Sequence, residues 1–265
     1  MPACPKPRLA ALASAHTLPP RNIAMNELTT AREDLAAALR WAAVQGLNEG
    51  VCNHFSLAVG PDHYLINPQG LHWLEVCASD ILLIDGSGRV IEGRHPIEPS
   101  AFFIHSWIHR MHPRAVAVLH THMPHATALT LIEGGRLRWA HQNALRFWGR
   151  VGYDDHYGGV ALDDAEGRRI AASLQDADVL FMASHGVTVV GPSLAWAFDD
   201  LYYLERACMH QTLAMQAAGG APLREIDPDT CRATAAQAAG ERQQSDLLFA
   251  AIRRMLDRDQ PGWRA

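Results

Sequence analysis

Two histidines separated by a single residue, His120 and His122, follow an apolar stretch (115–119) whose composition is typical of a buried β-strand. Because side chains two positions apart in an extended chain point to the same side, both imidazoles could bind one metal ion. His185 follows a second apolar stretch, 178–183, and precedes a glycine. Three imidazoles with an open coordination position are typical of a catalytic metal site. We therefore predict a divalent metal ion, with zinc as the expected ion and iron(II) or manganese as alternatives.

The composition narrows the chemistry and the partners. Lys6 is the only lysine of the chain and lies in a proline-rich stretch, whereas imine-forming catalysis needs a lysine held in a pocket. A net charge of −5 without a basic block argues against nucleic-acid binding, and no apolar stretch reaches the roughly 18 residues of a membrane span. Scattered cysteines without a C-x-x-C motif, and a start without an apolar signal core, favour the reducing cytoplasm.

Apolar periodicity and capping residues predict both helices and strands. A proline-rich stretch, 1–25, is predicted to be a flexible leader. Helices are predicted over 28–45 (with Thr29 or Thr30 as N-cap), 99–111, 126–132, 164–174, 193–218 (with Ser193 as N-cap) and 230–257. Strands are predicted near 54–59, 63–67, 81–85, 89–91, 115–120, 178–183 and 187–190, with irregular strand and loop over 148–160. Since strands and helices mix without strict β-α-β alternation, we predict an α/β fold with a mixed or antiparallel central sheet between helices.

The stretch His120-Thr-His-Met-Pro-His-Ala-Thr-Ala-Leu, together with Ala183-Ser-His185-Gly-Val, resembles the class II aldolase/adducin family. The resemblance runs over about 28–216. It implies that the H-x-H pair and the later histidine hold one divalent ion in a three-layer α/β/α domain with a mixed, mainly antiparallel sheet. We assign that domain to 26–220, followed by a helical C-terminal extension, 221–265. The resemblance also implies a homotetramer with active sites at subunit interfaces.

The same resemblance implies a cradle for the anionic end of a small substrate. Its candidate residues come from two turns and one helix start: Asn53, His54, Ser56, Asn67, Gly70 and Ser100. Backbone amides and the Ser56 hydroxyl could hold an anion there, and the helix N-terminus near Ser100 could add to it. His54 stands where phosphate-binding members commonly carry Asn, and it could favour a carboxylate or an aromatic ring. Ordinary turn residues remain the alternative interpretation.

The chain departs from the family at the acid–base residues. Ala101 occupies the position of the catalytic Glu of aldolase members, so Glu98 is the candidate replacement, although it could also be a loop charge. His141 occupies the position of a proton-donating Tyr, and Tyr157 lies in a loop that could reach the metal. His109, one turn after another histidine of the predicted helix, is expected on the solvated helix surface.

Three functions follow. The first is a divalent-metal-dependent lyase that cleaves a C–C bond, by aldol cleavage or decarboxylation, next to a metal-bound carbonyl or carboxylate. Decarboxylation needs no abstracting base first, so it tolerates Ala101 better. The second is a non-heme iron oxygenase acting on an aromatic keto acid, as the resemblance to relatives that also lack the Glu implies. The third is a non-catalytic adducin-like binding module, against which the three retained histidines argue.

Overall fold

The computed structural model describes residues 25–265, so the predicted leader lies outside the described residues except for its last residue. The helices of this part are α1 (Met25–Val44), α2 (Pro99–Met111), α3 (Pro124–Thr130), α4 (Gln142–Leu145), α5 (Asp164–Leu174), α6 (Leu194–Ala218), α7 (Pro228–Gly240) and α8 (Gln243–Asp259). The strands are β1 (His54–Gly60), β2 (His63–Ile66), β3 (Leu82–Asp85), β4 (Val90–Glu92), β5 (Ala117–Thr121), β6 (Val151–Asp154), β7 (Val179–Met182) and β8 (Gly186–Gly191).

These strands form one sheet in the order β4-β3-β2-β1-β5-β8-β7-β6. Every neighbouring pair is antiparallel except β6 and β7, which are parallel. The predicted mixed, mainly antiparallel sheet is therefore confirmed. The order places β5, the strand that carries the H-x-H pair, in the middle of the sheet between β1 and β8.

Alternate side chains of β5 enter two different cores, because successive residues of a strand point to opposite faces. Leu119 belongs to the larger core, to which α1, α3, α6 and α8 contribute. Val118 belongs to a second core, which α2 and α5 cover with Ile104, Ile108 and Ile170. Helices thus lie on both faces of the sheet, and the three-layer α/β/α prediction is confirmed. His120 points to the same face as Val118, toward α2.

Local signals at helix ends were reliable in some places and not in others. Ser193 caps α6 as predicted, because its hydroxyl accepts a hydrogen bond from the Trp196 amide at 3.3 Å. The prediction that Thr29 or Thr30 caps α1 is wrong, since the helix already includes Met25. Both hydroxyls instead donate to the carbonyl four residues earlier. The predicted C-terminal helix, 230–257, is two helices, α7 and α8, separated at 241–242.

The C-terminal helix α8 packs onto elements that precede it in the chain. Phe249 and Ile252 of α8, together with Trp263 beyond it, are buried in the larger core. Arg253 of α8 pairs with the carboxylate of Glu33 in α1 at 2.8 Å. Among the described residues, the cysteines are free thiols, and none of the helices combines the length and apolarity needed to cross a bilayer.

Candidate metal centre

Three strand ends bring His120, His122 and His185 together. His120 lies in β5 opposite Thr188 of β8, and His122 follows directly after β5. His185 occupies the turn that joins β7 to β8. One ring nitrogen from each histidine lies within 4.8 Å of the others. The ring centroids are 4.8 to 5.0 Å apart, so the three imidazoles that the sequence singled out face a common point.

Hydrogen bonds leave ring nitrogens of this group free to bind an ion. His120 Nδ1 donates to the Val187 carbonyl at 3.0 Å, which fixes the neutral tautomer with its lone pair on Nε2. His122 Nδ1 contacts the Glu49 carboxylate, while its Nε2 is buried and has no hydrogen-bond partner among the described residues. A buried ring nitrogen without a protein partner is expected where an ion or another ligand binds. The donor set therefore fits a divalent ion that accepts imidazole nitrogen.

Burial also keeps these histidines in the form that binds metal. It holds the pKa of His120 well below its usual value, and the neighbouring His185 lowers that pKa further. Burial and the proximity of His122 lower the pKa of His185 to about 4. Both imidazoles are consequently neutral at pH 7, as a metal ligand must be.

A cavity of about 740 Å³ opens beside the histidines. Several residues predicted from the sequence line it together with the three histidines, namely Asn53, His54, Gly70, Glu98, Ser100 and Tyr157. Its wall also contains apolar side chains that the sequence did not indicate, including Val51, Ile104, Val160 and Ala161. A mostly apolar cavity with a few convergent polar groups is typical of a small-molecule site.

Asn53 connects the cradle to the metal centre. It is buried and has a left-handed backbone (φ 76°), a conformation that Asn tolerates better than most residues. Its Oδ1 accepts hydrogen bonds from the backbone amides of Glu49 at 3.0 Å and His122 at 3.3 Å. Its Nδ2 is buried and unpartnered within residues 25–265, so it is a donor that a substrate oxygen could use.

Glu98 lines the cavity but its carboxylate is already occupied. It caps α2 by accepting from the Ala101 amide at 2.7 Å, and it accepts the Ser100 hydroxyl at 2.5 Å. His54 Nε2 lies 3.1 Å from the same carboxylate. Although burial raises the pKa of Glu98, the hydrogen bonds from His54, Ser100 and Ala101 outweigh it and hold that pKa at about 2. The carboxylate is therefore ionised and a weak base.

Two of the predicted cradle residues lie away from the cavity. Ser56 is fully buried, and its Oγ lies 2.6 Å from His105 Nδ1 and 2.7 Å from His109 Nε2. Asn67 is buried as well, and its Oδ1 accepts the Phe55 amide at 2.8 Å. Both side chains support the strand β1 that carries His54, and neither faces the open space.

The expectation that His109 is solvated is wrong. Only 8% of the residue is exposed, since it faces β1 together with His105. Its Nδ1 donates to the Ala115 carbonyl at 2.7 Å, so its Nε2 accepts the Ser56 hydroxyl and the Ser56 oxygen accepts from His105. This order leaves His105 Nε2 as a buried acceptor without a partner in the described part of the chain.

His141 and Ala101 do not reach the cavity within one chain. His141 lies at the N-cap of α4, with its ring 4.3 Å from that of His210 on α6, and is not among the lining residues. Ala101 is 1% exposed and packs in a small apolar cluster with Tyr64 and Ile66. The metal centre therefore has no carboxylate at that helix position.

Sequence reasoning missed Glu49 and the buried His105. No spacing pattern identifies Glu49, because its partner His122 lies 73 residues away. His105 could have been found from helix periodicity, because it shares the buried face of α2 with Ala101 and Ile108.

Sequence and structure comparisons agree on the relatives of this chain. Residues 33–212 match the Class II Aldolase and Adducin N-terminal domain family. A solved aldolase II superfamily protein from Pseudomonas syringae is similar with a TM-score of 0.83 and 33% identity, over 92% of this chain and 98% of that one. L-fuculose 1-phosphate aldolase from Glaciozyma antarctica is similar with a TM-score of 0.78 and 26% identity, over 91% and 96%.

A third relative carries a different activity in its name. The 4-hydroxy-3-prenylphenylpyruvate oxygenase/4-hydroxy-3-prenylbenzoate synthase of Streptomyces roseochromogenus is 31% identical over 209 residues, which cover 76% of this chain and 73% of that protein. The family match covers more than half of the chain, and the similar proteins extend over most of it. This chain belongs to the class II aldolase and adducin family.

Proposed function

We propose that this protein is a divalent-metal-dependent lyase that cleaves a C–C bond of a small anionic substrate. The observation that carries the proposal is the convergence of His120, His122 and His185 beside a cavity of about 740 Å³. The buried Nε2 of His122, which has no hydrogen-bond partner within residues 25–265, supports it, because an unpaired buried polar atom is costly unless a ligand binds it. Zinc is the ion we expect, as the donor set is entirely imidazole.

A divalent ion at this site would polarise a carbonyl or carboxylate oxygen of the substrate. The chain itself would supply orientation. Asn53 Nδ2, which has no hydrogen-bond partner among the described residues, is the candidate donor for a second substrate oxygen, and Gly70 borders the same cavity. The apolar wall, which includes Val160 and Ala161, favours a substrate with an apolar or aromatic part.

Within the lyase class, decarboxylation fits the residues better than aldol cleavage. Retro-aldol cleavage needs a base that takes the proton of a hydroxyl group before the C–C bond breaks. Ala101 cannot act as a base, and Glu98, with a pKa of about 2, is a poor one. In decarboxylation the substrate carboxylate leaves as carbon dioxide, and the electron pair of the broken bond stays on the adjacent carbon. That carbon then takes up a proton.

Tyr157 is the cavity-lining candidate for the proton donor. Its ring lies 6.3 Å from that of His185, and the side chain is about half exposed. His141 could act in this way only on the cavity of another subunit, which the predicted homotetramer would allow. Tetramer formation and the cytoplasmic location stay predictions.

The Streptomyces relative favours a second candidate, an iron(II)-dependent oxygenase of an aromatic 2-keto acid. Three histidines also bind iron(II). The apolar wall of the cavity suits the aromatic ring of such a substrate.

The test is turnover of aromatic 2-keto acids and of L-fuculose 1-phosphate by protein loaded with zinc, manganese or iron(II), in air and under nitrogen. The lyase proposal predicts carbon dioxide or aldehyde release without oxygen. It also predicts loss of turnover in His120→Ala and His185→Ala, but not in His63→Ala, a histidine on the exposed end of β2. Turnover that requires both iron and oxygen would establish the oxygenase instead. Protein that binds no ion would contradict both and leave a binding module.

A further inference from the structure

A carboxylate outside the predicted ligand set contacts one of the metal-binding histidines. Glu49 lies between α1 and β1, and its Oε2 is 2.5 Å from Nδ1 of His122. The imidazole of His122 is 23% exposed, whereas the carboxylate is 65% exposed at the outer edge of the site. Glu49 does not line the cavity, and its carboxylate contacts the metal centre through this ring.

The backbone around Glu49 is held in place from two sides. The Glu49 amide donates to Asn53 Oδ1, which also accepts the His122 amide. The Glu49 carbonyl accepts the Cys52 amide at 2.9 Å. Asn53 therefore joins the backbone of Glu49 to the backbone of His122, while the Glu49 carboxylate reaches the ring of the same histidine.

We infer that Glu49 is a positioning residue of the metal centre, an inference that rests on the proposed metal site. The Nδ1–H of His122 donates to the carboxylate, which fixes the tautomer and the ring orientation and leaves the Nε2 lone pair for the ion. The second observation that points the same way is that Nε2 of His122 is buried without a hydrogen-bond partner in the part of the chain that the structure describes. A negative charge behind the ring makes Nε2 a stronger donor, as in other carboxylate–histidine–metal arrangements.

His120 and His122 differ in the group that their Nδ1 atoms contact. Nδ1 of His120 donates to the neutral carbonyl of Val187, which is part of the β5–β8 ladder and cannot be removed by substitution. His122 lies beyond the end of β5, where the sheet no longer fixes its ring. Of these two ligands, the one with less support from the sheet is the one that contacts a carboxylate.

The test is the zinc affinity of metal-free protein, measured by chelator competition in the absence of substrate. For Glu49→Ala we expect a loss of about 10- to 100-fold, the usual range for such outer partners. For Glu49→Gln we expect a smaller loss, since the amide oxygen accepts the same hydrogen bond without the charge. Glu133→Ala removes an exposed carboxylate elsewhere and should match the wild type. A Glu49→Ala affinity within twofold of the wild type would overturn the inference.

Two further readouts separate positioning from general destabilisation. Nitrogen-15 NMR of the metal-free protein should show His122 protonated at Nδ1 in the wild type and a mixture of tautomers in Glu49→Ala. In a His122→Ala background, Glu49→Ala should cause no additional loss of zinc affinity, and an equal loss in both backgrounds would refute the role. If the wild type itself bound no zinc, the proposed function would fail together with this inference. A wild type and a Glu49→Ala variant that bind equally well would refute only the role of Glu49.

Discussion

His54 and His120 are directly opposite each other on the neighbouring antiparallel strands β1 and β5, and their rings stack with centroids 5.2 Å apart. The same His54 holds the carboxylate of Glu98 through Nε2 at 3.1 Å. One cross-strand pair therefore connects a metal-binding histidine to the helix cap that borders the cavity. This contact explains why a histidine at the cradle position is compatible with the centre: its ring packs on the ligand.

A buried series of hydrogen bonds, His105–Ser56–His109, joins α2 to β1 next to this pair. Ser56→Ala would leave a donor nitrogen of one buried ring and an acceptor nitrogen of the other without partners. Each such loss costs about 1–3 kcal/mol, so we expect urea unfolding to show a free energy of unfolding lower by that order.

Ser106→Ala is the matched control for that substitution. The Ser106 hydroxyl is equally buried on α2 but has no hydrogen-bond partner among the described residues. Its removal should leave stability unchanged or slightly higher. Equal destabilisation by both substitutions would show that the hydrogen-bonded chain contributes nothing specific.

Gly186 allows two ligand segments to approach each other closely. A Cβ at this position would lie 2.6 Å from the Thr121 carbonyl oxygen and 2.8 Å from Cδ2 of His122. Gly186→Ala should therefore displace the His122 ring and lower zinc affinity by roughly tenfold or more, with an overpacking cost of about 1–3 kcal/mol.

Gly240→Ala is the control for this effect, because a Cβ there meets nothing within 4 Å. It should leave zinc affinity as in the wild type. Undiminished affinity in Gly186→Ala, measured by the same chelator competition, would mean that the His122 ring is not constrained as described.

The buried carboxyl group of Glu205 should make the stability of the protein depend on pH. Its buried carboxylate accepts the amides of His125 at 2.8 Å and Ala126 at 2.9 Å, and so caps α3 just after the H-x-H pair. Burial outweighs these two hydrogen bonds and raises the pKa of Glu205 to about 6, from 4.5. Because the folded state holds this proton more tightly than the unfolded state does, the contribution of Glu205 to stability should fall as pH rises from about 4.5 to about 6.

The comparison with Glu205→Gln isolates that contribution. The difference in unfolding free energy, wild type minus variant, should decrease by about 2 kcal/mol across this pH range. Urea unfolding at several pH values measures it. A difference that stays constant with pH would contradict the raised pKa.

The sequence predicted those features that depend on nearby residues. Helix α5 has both of its predicted ends, and the cap at Ser193 follows from the residues around it. The convergence of His120, His122 and His185 was predicted because the H-x-H pair and His185 each come at the end of an apolar stretch, and because the resemblance implies that they hold one ion. The layers of the fold followed from the resemblance rather than from any single periodic pattern.

The features that were missed depend on contacts between distant parts of the chain. Ser56 and His105 are 49 residues apart, and Glu49 and His122 are 73 apart. A polar residue near a turn can bind a substrate or stabilise the fold. Only the tertiary contacts showed that Ser56, which lies in β1, stabilises the fold. The Thr29 and Thr30 caps failed because helix-compatible residues continue before them, and a threonine inside a helix can donate to the preceding turn.

The central claim is that His120, His122 and His185 bind one divalent ion. The most direct test is a crystal structure of the zinc-loaded protein with data collected on both sides of the zinc absorption edge. The account predicts one anomalous peak per chain at about 2.0–2.1 Å from a ring nitrogen of each histidine. The absence of a peak among these rings in zinc-loaded crystals, or a peak held only by other residues, would contradict it.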